Sequence, residues 1–302
     1  MSGVEIAGVG LHPFGRFEGK TATDMGVVAV RRAMAEAGVG RGGFQAAFCA
    51  TAYGGVASGH RVLGALGMTG MPIVDVEAGC ASGAAALMLA CGAIEAGQYE
   101  TVVVFGVEKM PRGIIRSSFF APWQEEAGLA ATPAYFALRA QRLMFASGVT
   151  KEHLAAVVVK NRAHGARNPD AMFRAEVGAE EVLASRVVSE PLHLWMLCSP
   201  NEGAACVVLR ARDAGGAGGV APVGAAPPVR VAAAVLRSHL PGPVLSESTP
   251  MSGLTDDTVP AASTLAADAA YEAAGLGPDD LDVVECQDTD AALGRLGRRA
   301  GL

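Results

Sequence analysis

The sequence predicts an α/β fold with buried parallel strands. Two observations carry that reading. Apolar strand-like runs alternate with helical segments along the first third of the chain. A similar helix–turn–strand pattern then returns near the other end.

Each element has its own local signal. "VEIAGVG" is a first strand, apolar except for Glu5. Thr23 and Asp24 then cap a helix, "MGVVAVRRAMAEAG", which Gly38 ends. "FQAAFCATAY" is a buried strand, and "PIVDVEA" is another. A long helix of small apolar residues comes next, opened by Cys80, and after Gly97 comes the strand "TVVVFGVE". From Pro111 to about Pro133 the pattern gives way to loop. "YFALRAQRLMFASG" and "EHLAAVVVKNRAHGARNP" read as helices, and "CSPNEGAACVVLRA" as a turn and a strand. "DAGGAGGVAPVGAAPP" has no periodicity and reads as a linker. Beyond it, "VRVAAAVLRS" reads as a strand and "STLAADAAYEAAGLGPDDLDVVECQD" as helix, turn and strand.

At a constant offset of 237 positions, Gly38 matches Gly275, Gly40 matches Gly277, Phe44 matches Leu281 and Cys49 matches Cys286. Four ungapped matches at one kind of junction point to an internal duplication, although two unrelated units could share helix-ending chemistry. The organisation expected is an N-terminal half over residues 1–212 with an inserted stretch at about 111–200, a linker over 213–228, and a partial second half over 229–302. The counterpart of Cys80 would fall beyond Leu302, so the second half is expected to be truncated.

Bulk properties narrow the function. The chain has 302 residues, 51% hydrophobic and 18% charged, with a mean hydropathy of +0.31. The excess lies in Ala, Val and Gly, which suits close packing and a large interface. A net charge of −6 offers no basic footprint for nucleic acid. The N-terminal stretch lacks a basic region followed by an apolar one, so no signal peptide is expected. Ala78 to Ile94 is uncharged, but Glu77 and Glu95 flank it closely, which favours a buried helix over a membrane span. The six cysteines form no CxxC pair and have no histidine at zinc spacing, so no metal site is expected. Reduced thiols in a cytoplasmic protein are the expectation.

Cys80 is the candidate nucleophile. A cysteine at the N-terminus of a helix meets unsatisfied N–H groups and the positive end of the macrodipole, both of which favour a thiolate. Ala81, Ser82, Gly83 and Ala84 leave room for a bulky substrate, and backbone N–H groups there could hold an oxyanion. On spacing alone, an inert buried thiol is an equal reading.

The segment "GCASGAAALMLACGAIEAGQYETVVVFGVEKM" resembles the nucleophile segment of the thiolases. "LGMTGMPIVDV", "VKNRAHGARNP", "VLASRVVSEPL" and "CSPNEGAACVVL" are similar to the sterol carrier protein-type, or lipid-transfer-protein, members in particular. The resemblance implies a five-layer αβαβα fold of two similar halves, and a homodimer or dimer of dimers with paired sheets. It implies that Cys80 takes an acyl group from a 3-ketoacyl-CoA, that CoA thiol collects it, and that no cofactor is permanently bound.

The family's second-half groups do not match. Its "HDCF"-type histidine, which helps hold the thioester oxygen, is replaced in "ECQDTDAA" by Gln287. That amide can donate a hydrogen bond, or be an ordinary loop residue. Neither the "GHPxG" histidine nor the C-terminal cysteine–glycine segment is present in these residues. His164 lies in a segment the family places near the active-site cavity. Arg112 and Arg116, in the loop after the nucleophile's neighbouring strand, could meet CoA phosphates or form a solvated face. Three readings remain: a thiolase-type acyltransferase in lipid metabolism, a steroid side-chain retro-aldolase beside an OB-fold partner with a zinc ribbon, and a catalytically impaired acyl-CoA-binding subunit.

Overall fold

The computed structural model describes residues 3–113, 122–128, 131–212, 229–238, 240 and 260–292. The linker expected over 213–228 and Arg116 lie outside the described residues. The chain divides into two units: residues 1–110, 201–236 and 270–275, and residues 111–200, 237–269 and 276–302.

The first unit is built on one mixed sheet. Its strands are β1 (Val4–Gly15), β2 (Ala46–Ala50), β3 (Ile73–Val76), β4 (Thr101–Lys109), β7 (Glu202–Ala211) and β8 (Val229–Arg230), in the order β3-β2-β4-β7-β1-β8. β2 runs parallel to β3 and to β4, as expected. β7 is antiparallel to both β4 and β1, so the sheet is not purely parallel. The apolar runs mark which strands are covered on both faces; that property does not encode strand direction.

Helices α1 (Ala22–Ala37) and α2 (Ser58–Ala65) cover one face, and α3 (Ser82–Glu95) covers the other. The period of two along β4 shows the division. Val103, Phe105 and Val107 join the α1 side, while Val102 and Val104 join the α3 side. All five residues of β2 are buried, which is why "AAFCA" has no polar position. β3 is an edge strand, with Val74 and Asp75 exposed, where the sequence predicts a fully buried strand. α2 has no counterpart among the predicted elements; its eight residues are too few for a clear helical period.

α1 starts earlier than expected. Thr21, not Thr23, is its N-cap: Thr21 Oγ1 accepts from the Asp24 N–H at 3.1 Å, and the Asp24 carboxylate accepts from the Thr21 N–H at 2.8 Å. The helix packs hard against β1. A Cβ on Gly10 would fall on the Ala29 carbonyl oxygen and the Ala33 nitrogen, so only glycine admits this approach. A register shift between Ile6 and Gly8 breaks the alternation: Val4 and Ile6 pack on the α3 side, whereas Ala7 and then Gly8 and Gly10 face α1.

The matched positions Gly38/Gly275, Gly40/Gly277 and Phe44/Leu281 sit at two junctions of similar local geometry. α1 ends at Gly38 with φ 64°, and α8 (Ala262–Ala274) is followed by Gly275 with φ 67°. Gly40 and Gly277 then each precede a three-residue 3-10 turn, Arg41–Gly43 and Pro278–Asp280, closed by Phe44 and Leu281 in extended backbone. The match ends there. β2 is paired on both sides, whereas residues 281–287, read as a strand, join no ladder among the described residues, and Val283 is 80% exposed. "VRVAAAVLRS" likewise gives only the two-residue β8 against β1. Strand propensity is realised only where a neighbouring strand is present.

In the second unit, α4 (Pro122–Glu126) interrupts the stretch read as loop. α5 (Thr132–Ser147), α6 (Lys151–Arg167) and α7 (Ala179–Ala184) come next, then the hairpin of β5 (Val187–Ser189) and β6 (Leu192–His193). Their core gathers Ala140, Leu143, Leu154, Val158, Val182 and Leu192, with Ala291 and Ala292 from the chain's later part.

Candidate active site

Cys80 lies in the turn between β3 and α3, at the carboxyl end of the parallel strands β2, β3 and β4. The cap of α3 is Ala81, so Cys80 stands one residue outside the helix rather than in its first turn. The turn is built locally. Gly79 has φ 56°, a left-handed conformation costly for other residues. Its N–H donates to Glu77 Oε1 at 2.7 Å. Ser82, which the sequence marks only as small, is buried and ties the turn together. Its Oγ accepts from the Ala78 N–H at 2.9 Å and donates to the Gly79 carbonyl at 2.6 Å. The Cys80 side chain is left exposed.

The thiols divide in two. Cys49, Cys91 and Cys206 are buried; Cys80, Cys198 and Cys286 are exposed. Burial pushes the Cys91 thiol up to about 11, with Glu95 adding to it. Burial raises Cys49 and Cys206 further, and for Cys49 the neighbouring Asp75 carboxylate contributes. These three are inert hydrophobes.

Two further groups belong to this end of the sheet, and sequence reasoning missed both. Glu108, at the end of β4, reaches the segment leaving β2: its carboxylate accepts from the Ala52 N–H at 2.8 Å, the Tyr53 N–H at 3.2 Å and Thr51 Oγ1 at 3.3 Å. The Thr51 N–H donates to the Val76 carbonyl at 3.2 Å, which holds the exits of β2 and β3 together. Tyr53 is 47% exposed. Burial, then Cys80, then Glu108 raise its phenol above the ordinary value of 10. The signal available for both residues was their place just after, or at the end of, predicted parallel strands.

The remaining candidates belong to the second unit. Gln287 is exposed in the unpaired 281–287 stretch. The next two residues are anchored: Asp288 accepts a hydrogen bond from Asn161 on α6, and the Cys198 N–H donates to the Thr289 carbonyl at 2.9 Å. His164 is exposed one helical turn beyond Asn161, so the structure brings its helix beside the Gln287 segment. Arg112 is exposed. Among the described residues no helix is long and apolar enough to cross a membrane, and no His/Cys/Asp/Glu cluster suits a metal ion.

Residues 4–213 match the family model described as thiolase, N-terminal domain. The chain belongs to the thiolase family. This thiolase-family chain is 34% identical over 293 residues to benzoylsuccinyl-CoA thiolase subunit BbsB of Thauera aromatica, covering 94% of this chain and 71% of that protein. It is 29% identical to sterol carrier protein 2 of Gallus gallus, covering 94% of this chain. It spans only about half of that relative's length, 53%. Among solved structures, the Ltp2-ChsH2(DUF35) aldolase superposes with a TM-score of 0.77 at 23% identity, over 97% of this chain and 75% of that one. The mixed sheet with helices on both faces is thus the thiolase-like α/β fold that the sequence predicted.

Proposed function

We propose that this thiolase-family chain transfers acyl groups between CoA thioesters through an acyl-cysteine on Cys80. The observation that carries the reading is the exposure of Cys80 before the N-terminus of α3, while three other thiols are sealed in the core. In this reading the Cys80 sulfur attacks the 3-keto carbon of a 3-ketoacyl-CoA. The bond between that carbon and the α-carbon breaks, the acyl group stays on sulfur, and the α-carbon takes a proton. CoA thiol then removes the acyl group. The thiolase-named relative supports a CoA-thioester substrate. Gln287 would donate a hydrogen bond to the thioester oxygen, an assignment that rests on its family position. Arg112, Arg116 and His164 would contact CoA on the same basis. A cytoplasmic homodimer of two similar halves, 1–212 and 229–302 about a 213–228 linker, completes this reading.

Likeness to an aldolase structure favours one second reading: a retro-aldolase acting beside an OB-fold partner with a zinc ribbon. One experiment separates the two. Incubation with acetoacetyl-CoA, followed by intact-mass and peptide analysis, should find an acetyl adduct on Cys80, absent in Cys80→Ala. No adduct on the native protein overturns the acyl-cysteine reading. Aldol cleavage that survives Cys80→Ala supports the second.

A further inference from the structure

The loop after β2 carries a residue for which the acyl-cysteine reading has no role so far. Ala50 and Val76 are partners at the ends of the parallel strands β2 and β3, so residues 51–54 and 77–81 leave the sheet side by side. The Thr51 N–H bonded to the Val76 carbonyl extends that pairing by one residue. Glu108 clamps the backbone of Ala52 and Tyr53 from the neighbouring β4. Arg61 clamps the following turn, donating to the carbonyls of Gly54 at 2.5 Å and Val56 at 2.7 Å. The backbone under Tyr53 is thus fixed from three elements, yet the side chain stays half exposed. Its hydroxyl makes no hydrogen bond among the described residues.

We infer that the Tyr53 phenol is a substrate-facing donor of the Cys80 site, giving its hydrogen bond to the carbonyl oxygen of the acyl group being transferred to the Cys80 sulfur. The inference rests on the acyl-cysteine reading above. Burial first, then Cys80 and Glu108, favour the neutral form of the phenol. The group is therefore a donor throughout the physiological range. Negative charge develops on the carbonyl oxygen as sulfur adds to carbon, so a donor there acts more strongly on the transition state than on the ground state. No proton needs to leave the phenol.

The test compares two reactions of the same sulfur in native protein and Tyr53→Phe. Acylation by acetoacetyl-CoA passes through an oxyanion; alkylation by iodoacetamide does not. Loss of one such donor predicts that the acylation rate falls about 10-fold or more in Tyr53→Phe, with alkylation of Cys80 within about 2-fold of native. Acylation unchanged, or both rates falling together, overturns the role of Tyr53. Absence of any acyl adduct on the native protein instead overturns the reading of Cys80 itself.

Discussion

Glu108 holds the backbone of Tyr53: its carboxylate accepts the Tyr53 N–H at 3.2 Å, across from the end of β4 to the segment leaving β2. One carboxylate also takes the Ala52 N–H and the Thr51 hydroxyl, so a single side chain fixes the loop beside Cys80.

Glu108→Ala removes a charged acceptor shared by three donors. Hydrogen bonds to charged groups suggest a loss of about 1.5–3 kcal/mol, read from the urea unfolding midpoint. Glu108→Gln, which keeps one acceptor oxygen, should lose less.

The thiols should react in a definite order. Iodoacetamide should modify Cys80 first, because its side chain is exposed in the turn just before α3, at the positive end of the helix dipole. Cys198 and Cys286 should come next, and Cys49, Cys91 and Cys206 should stay unmodified until the chain unfolds. Peptide mapping of a labelling time course checks this; equal labelling of all six would contradict it.

Gly10→Ala should destabilise strongly. Its new methyl would meet the Ala29 carbonyl oxygen, part of a backbone that cannot rotate aside. Overpacking of this kind costs about 1–3 kcal/mol, and contact with rigid backbone puts this case at the upper end. Thermal unfolding of the variant measures it.

Acid should weaken the first unit through Glu202. Burial raises its pKa, but the Phe17 N–H, Lys109 and Arg16 outweigh that, leaving it below the ordinary 4.5. A carboxylate with a folded pKa below its unfolded one adds stability above the unfolded value. That contribution is lost as pH falls through the folded value. Native protein should therefore lose stability below about pH 5 more steeply than Glu202→Gln, as followed by circular dichroism in urea at several pH values.

Much of the fold was legible because its signals are local. Continuous apolar runs marked β2 and β4, small residues marked α3, and Gly38 and Gly275 marked two helix ends. Cys80 was legible because a strand, a glycine and a helix of small residues surround it. Ser82, Glu108 and Tyr53 were not, because their roles depend on contacts across turns and between strands. A carboxylate fifty-five positions from its partner leaves no periodic trace.

The sequence by itself determined that β2 and β4 are buried strands, where α1 and α8 end, and which cysteine precedes the helix of small residues. Hydrophobic period and glycine placement act within a few residues of themselves. Tertiary structure alone decided that β7 runs antiparallel, that β3 is an edge, and that 281–287 goes unpaired among the described residues. It also decided that the exits of β2, β3 and β4 gather Tyr53, Cys80 and Glu108. Those outcomes depend on which strand lies beside which, and hydrogen bonds between distant segments set that order.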